Sequence, residues 1–167
     1  MVYFVTEEFI KNETHITQNV DAADISPYLH ISAITYIQPI LGYTFYNDIL
    51  DKFNLGTLNA DETQLVEFIK YVVAFYAAYE AVPNLTFRIS NKGIQSQSGE
   101  FSASESIDVV NYIRRNIVKY AKIKEDELRE YLYENKDLFT LYKDRSNKSI
   151  VGPDGKRNQN KGGISSI

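Results

Sequence analysis

No cysteine and no tryptophan occur in the 167 residues, which hold four prolines, two histidines and one methionine. Without cysteine there are no disulfides, no thiol nucleophile and no thiolate metal site. His15 and His30 stand in different segments, so no multi-histidine metal centre can form. No window approaches the roughly 18 consecutive apolar residues that a membrane span needs. The start, Met1-Val2-Tyr3-Phe4 followed by Glu7 and Glu8, lacks the basic region of a secretory signal. These absences lead us to expect a protein that folds in a cytoplasm. No internal repeat is found.

Catalytic motifs are missing as well. Gly152-Pro153-Asp154-Gly155-Lys156 lacks the glycine–lysine–hydroxyl spacing of a phosphate loop and reads better as a turn. Asp48 and Asp51 share a helix face, as many solvated acidic pairs do. No serine sits in a nucleophile elbow, and no carboxylate pair is marked as acid and base. The expectation is a protein without catalysis, cofactor or metal.

What is present is an uneven charge. Residues 143–167 hold six basic residues against two acidic ones, a net of +4; the total of −4 then leaves −8 on the remainder, from 12 basic and 20 acidic residues. An acidic body with a basic arm fits self-assembly or docking on an acidic partner. No helix is basic along one whole face, which argues against a DNA-reading surface.

The chain reads as mainly α: a small helical bundle with a central buried helix, a long C-terminal helix, a β-hairpin insertion and an extended C-terminal tail. Val2 to Val5 is β-prone enough for an edge strand, and Thr6 is placed to cap a short helix over Glu7 to Lys11. A helix is expected to begin near Asp24 or Ser26, with Pro27 in its first turn, and to stop at Pro39-Ile40-Leu41-Gly42. Leu29, Ile31, Ala33, Ile34, Ile37 and Ile40 are its expected core positions. A short helix, Thr44 to Phe53, ends at Gly56. Asn59 with Glu62 forms a capping box for a helix to about Ala81, apolar all round over Val72 to Tyr79 and therefore central. Pro83 is expected to end it. Leu85 to Ser90 and Ile94 to Gln97 alternate around Asn91-Lys92-Gly93, a hairpin signal.

The longest helix is expected from about Ala103 to Glu134, behind a second capping box of Ser102 and Glu105. Its charges are sorted. Arg114, Arg115, Lys119, Lys122 and Lys124 come first, and Glu125, Asp126, Glu127, Glu130 and Glu134 follow. The helix macrodipole prefers the opposite order, so the charges read as placed for partners. Leu138, Phe139, Leu141 and Tyr142 form a last apolar cluster. Two units result: a body over 1–142, with the hairpin near 85–97, and a basic arm over 143–167.

The block from Ile34 to Leu50, with its Pro39–Leu41–Gly42 stop and the aromatic helix after it, resembles a segment of head–tail connector proteins of tailed bacteriophages. The order of elements is similar too, over about residues 5–142, and the Asn-, Ile-, Lys- and Tyr-rich composition resembles phages of gut Bacteroidetes, including the crAss-like group. The resemblance implies a homo-oligomeric ring of twelve copies, docked on the portal protein, extending the DNA channel and carrying an adjacent tail or second ring protein. It implies passage of DNA without sequence-specific binding, location in the virion at the head–tail interface, and no membrane.

A head-to-tail ring needs two different faces on each subunit. The expected interface residues are Leu85, Phe87, Arg88, Ile89 and Ile94 of the hairpin, Arg114, Arg115 and Lys119 of the long helix, and Lys143, Arg145, Lys148, Lys156, Arg157 and Lys161 of the arm. Two other readings stay open: a small helical nucleic-acid-binding or regulatory protein using Arg114, Arg115, Lys119, Lys122 and the arm, and an enzyme whose site carries no recognisable motif.

Overall fold

A computed structural model describes residues 3–14, 16, 19–90, 93–96 and 107–143, with 86–90 and 93–96 described by their backbone alone. The fold is mainly α. Helix α1 spans Glu7–Glu13, and its first turn is capped by Thr6 Oγ1, which accepts from the Phe9 N–H at 3.3 Å. The segment before it is not an edge strand. Tyr3 and Val5 form an isolated bridge around Phe4, whose φ is +67°. That left-handed backbone breaks an extended run and drives the Phe4 ring into the core, edge-on to Tyr46 and tilted on Phe53. The strain, of order 1–2 kcal/mol, is offset by burying the ring.

Helix α2, Ala22–Ser32, starts earlier than Pro27 implies, because Asp21 Oδ1 caps it by accepting from the Ala23 N–H at 3.1 Å. Pro27 therefore lies inside the helix rather than in its first turn. It is exposed, as is Ala23, whose carbonyl it leaves without an intrahelical donor. The helix then widens into a π turn, Ala33–Ile37, where the Gln38 N–H reaches back five residues to the Ala33 carbonyl. Pro39, which has no N–H to continue an ordinary ladder, follows at once; such re-registering is a known use of π turns. Ile31 and Ile34 end up exposed and not in the core, while Ala33, Ile37, Ile40 and Leu41 are buried. Six apolar positions make a stripe wider than the face the neighbouring helix covers.

Gly42 ends α3 (Gln38–Leu41) and begins α4 (Tyr43–Leu55) with φ +82° and ψ 151°, a backbone open to glycine and strained for other residues. Its N–H donates to Gln38 and its carbonyl accepts from Tyr46. Gly56 closes α4 in the left-handed conformation, φ +68°, with the Thr57 N–H reaching the Lys52 carbonyl at 2.9 Å, the pattern of a Schellman stop.

Helix α5, Ala60–Thr86, is the hub. Val72, Val73, Ala74, Tyr76, Ala77, Ala78 and Ala81 are all buried, and α2, the π turn, α1 and α6 (Ile107–Glu134) pack around it. Buried alanines on α5 and Ala121 on α6 are small enough for the two helices to pack closely. Contrary to expectation Pro83 does not stop this helix, which continues to Thr86. Strands β1 (Phe87–Ser90) and β2 (Gly93–Ser96) follow, paired antiparallel with Phe87 opposite Ser96 and Ile89 opposite Ile94. Ser102 and Glu105, expected to cap α6, lie outside the described residues. After α6 a 3-10 turn, Lys136–Leu138, returns Phe139 to the core beside Phe45, whereas Leu138 and Leu141 remain exposed.

The start of α5 is fastened to α4 by one carboxylate. Glu62, 7 % exposed, accepts from the Asn59 N–H at 2.9 Å and from Lys52 Nζ at 2.7 Å, while Asn59 Oδ1 accepts from the Glu62 N–H at 2.8 Å. Lys52 also bridges Asp48 at 2.8 Å. We expect Asn59→Ala to cost about 1 kcal/mol as a lost cap. Glu62→Ala should cost about 2 kcal/mol, because it orphans the Asn59 N–H and removes one of the two carboxylates that hold Lys52. Urea unfolding with an unchanged m-value checks both; equal costs would show that the Lys52 contact contributes nothing.

Candidate functional surface

Polar side chains along the seam of α5 with its neighbours link it to the π turn on one side and to α6 on the other. The Tyr36 and Tyr76 rings stack almost parallel, 3.6 Å between centroids. The Tyr36 hydroxyl donates to Glu80 at 2.5 Å, and the Tyr76 hydroxyl to Glu125 at 2.6 Å. Glu125 is held in turn by Arg129, at 2.9 Å from Nε and 2.6 Å from Nη2. Both tyrosines are kept protonated far above their ordinary range, first by burial and then by the carboxylate each faces. Burial also pushes Tyr46 up to about 12, and its buried hydroxyl has no hydrogen-bond partner among the described residues. This is a locked structural relay. Each hydroxyl donates to a carboxylate, so neither is poised to take up a proton as a base.

Arg114, expected at an interface, turns inward. Its guanidinium lies 4.1 Å from the Tyr79 ring centroid, and its Nε donates to the Tyr79 carbonyl at 3.4 Å. Tyr79 stands four residues before Pro83, so its carbonyl is the one that proline leaves without an intrahelical donor. Arg114 supplies the missing donor from α6, which explains why α5 runs through its proline.

Lys124 is likewise spent internally, on Glu127 at 2.8 Å and near the Tyr71 ring. With Gln64, Glu67 and Phe68 these residues line an open groove of about 350 Å³. A smaller hollow, about 180 Å³, lies by Gly42, Phe45 and Lys143. Among the described residues no group of three or more His, Asp or Glu side chains could hold a metal. Nor is any described helix long and apolar enough to cross a membrane.

The outer face of α6 is different. Arg115, Lys119, Lys122, Asp126, Glu130 and Tyr133 are all exposed and recur at three- and four-residue steps along one side of the helix, as one surface row requires. None of the five charged members makes an ion pair with a described residue. Tyr112 and Ile123 lie exposed beside the row. The sorted charges of the sequence thus divide into two sets. Arg114, Lys124, Glu125 and Glu127 are engaged within the subunit, whereas Arg115, Lys119, Lys122, Asp126, Glu130 and Glu134 are exposed. Asp126, Glu130 and Tyr133 were not among the expected site residues, although a helical projection places them in line with Arg115 and Lys119.

Of the expected interface residues, Leu85 is half-buried against the core and Lys143 is exposed. Phe87, Arg88, Ile89 and Ile94 lie in the two strands, where only the backbone is described. Arg145, Lys148, Lys156, Arg157 and Lys161 lie outside the described residues.

Residues 37–150 match the model of a family of unknown function (DUF6712), and because the match covers more than half of the chain, the protein belongs to that family. No curated protein and no solved structure matches.

Two predictions follow from the seam. Arg114→Ala should destabilise the fold by about 1–2 kcal/mol, from a lost cation–π contact and an orphaned carbonyl. Pro83→Ala restores an intrahelical donor to Tyr79, so Arg114→Ala should cost less in that background; a double-mutant cycle in urea measures the difference, and strict additivity would refute the account.

The tyrosines set the alkaline limit. Their folded values lie above the unfolded value of about 10, so their contribution is fully present below that pH and is lost as pH rises through the folded values. Thermal stability should therefore fall above pH ~10. The Y36F/Y76F variant should be weaker at pH ~8 by about 1 kcal/mol per hydroxyl, with a shallower alkaline decline.

Proposed function

We propose that this protein is a structural component of a phage virion, a head–tail connector subunit. In this reading copies assemble into a ring on the portal protein, extend the channel through which DNA passes, and offer a platform to an adjacent tail or second ring protein. The finer architecture belongs to the same proposal: a small bundle about one central helix, a hairpin inserted before a long helix, and an extended basic arm over 143–167.

The observation that supports the reading most is the junction at Gly42. There a proline-containing helix stops, a positive-φ glycine turns the chain, and an aromatic helix starts within one residue. That is the block whose sequence resembles the connector proteins. The order of elements around it, from α1 through the two strands to α6, is the order those proteins share. A hairpin of two four-residue strands is marginal alone, and an edge of this kind is suited to adding to a neighbour. Lys143 and the basic residues after it would give the arm an electrostatic hold on an acidic partner. Acid concentrated in the body would let DNA slide through a lumen without sticking.

The second reading, a nucleic-acid-binding protein, rests on Arg114, Arg115, Lys119, Lys122 and the arm. It is weakened by the inward turn of Arg114 and by Asp126 and Glu130 in the same surface row.

Electron microscopy of the protein mixed with purified portal tests the proposal. A ring of density at the tail-facing end of the portal is expected. Deletion of residues 143–167 should leave the helical circular-dichroism signal intact and abolish that binding. Steeply salt-dependent DNA binding without portal binding would replace the connector reading by the second one.

A further inference from the structure

The outward row on α6 has a symmetry that its own helix does not use. Tyr112, Arg115, Lys119, Lys122, Ile123, Asp126, Glu130 and Tyr133 are spaced symmetrically about the midpoint between Lys122 and Ile123. Reversing the helix about that point places Arg115 where Glu130 was, Lys119 where Asp126 was, and Tyr112 where Tyr133 was. The sign of charge inverts at both pairs that flank the centre, the centre itself sets Lys122 beside Ile123, and the aromatic ends coincide. A foreign partner would need no such inversion, whereas a second copy lying antiparallel does.

We propose that the exposed face of α6 is a two-fold contact in which two copies of this chain pair antiparallel. Arg115 of each copy meets Glu130 of the other, Lys119 meets Asp126, and Tyr112 packs on Tyr133. The row spans about 32 Å at 1.5 Å of rise per residue, so the four ion pairs and two aromatic contacts are spread over most of the helix. Antiparallel packing also sets the two macrodipoles head to tail. It brings each helix's misplaced base near the acidic end of its neighbour, and so relieves the unfavourable order of charge along α6.

Exposed ion pairs contribute little singly, about 0.2–1 kcal/mol each, and are screened by salt. The pair is therefore weak and dependent on ionic strength. The inference does not rest on the connector reading. A two-fold contact closes on itself and cannot extend into a head-to-tail ring, so where both hold, the pair is the form in solution and assembly on the portal opens it.

Sedimentation velocity of the full chain at about 100 µM, a concentration suited to weak contacts, tests this. A dimer is expected at about 20 mM salt, with association weakened about tenfold or more at about 500 mM, where the screening length is a few ångströms. The variants R115E/K119E and D126K/E130K should each be monomeric at low salt, since every pair becomes a repulsion, and an unchanged helical circular-dichroism signal shows that they fold. Mixed in equal amounts they should form a heterodimer, because every pair is again of opposite sign. A monomeric wild type at low salt, an assembly other than a dimer, or a mixture that stays monomeric overturns the proposal. Portal binding is read separately, so failure here leaves the connector reading to its own test.

Discussion

Helix α5 must be covered over most of its circumference, and most of the fold is the means of covering it. From Leu65 to Ala81 nearly every residue facing a neighbour is apolar, and a helix of that kind has no stable solvent face. The alanines decide how it is covered. Ala74, Ala77, Ala78 and Ala81 add little volume, so neighbouring helices supply the larger side chains: Ile25 and Leu29 from α2, Ile117, Leu128 and Leu132 from α6. Each large side chain fully buried is worth roughly 1.5–3 kcal/mol. The polar interactions at the seam are small by comparison and act by selecting which packing is adopted.

That selection is visible where polar groups cannot escape the core. Tyr36 and Tyr76 stack against each other, yet each hydroxyl must find a partner or cost the price of desolvation. The partners come from opposite directions, Glu80 one turn along α5 and Glu125 on α6. Sliding α6 by one turn would move Glu125 about 5.4 Å along the axis, out of hydrogen-bond reach, and would separate Arg114 from the Tyr79 carbonyl. Apolar contacts alone would tolerate such a slide better. The tyrosine–glutamate and arginine–carbonyl contacts thus fix the register of the two longest helices.

How far the sequence disclosed this fold depended on the range of each determinant. The Gly42 turn, the Gly56 stop, the Thr6 cap and the Asn59–Glu62 capping box are settled within five residues of chain, and each was legible. Pro27 reads as the mark of a first turn, but the Asp21 cap starts α2 a turn earlier. Pro83 reads as a stop, but a proline ends a helix only when the carbonyl it orphans stays unsatisfied. At Pro83 the donor is Arg114, 35 positions from Tyr79, and no local rule reports it. The same contact removed Arg114 from the expected interface. Phe4 was misread because its positive φ is imposed by the aromatic cluster it enters, which lies 40 and more residues away in the chain.

The candidate surface was half legible for a related reason. The sorting of charge along α6 is a one-dimensional pattern, and it correctly signalled that intrinsic helix stability was not its purpose. Which charges were available to a partner is a three-dimensional question. Arg129 and Glu125 close on each other, as do Lys124 and Glu127, because (i, i+4) and (i, i+3) neighbours of opposite sign meet wherever the helix brings them together. Along the outer row like-signed residues hold most of those neighbouring positions instead: Arg115, Lys119 and Lys122 succeed one another, then Asp126 and Glu130 do, and Lys122 with Asp126 is the one step of opposite sign. Each such like-signed neighbour destabilises the isolated helix by a few tenths of a kcal/mol. A helix anchored by five fully or nearly fully buried apolar residues can carry that cost. Arg115, Lys119 and Glu130 have no residue of opposite sign at (i, i±3) or (i, i±4) on α6, which leaves their charge available to a partner.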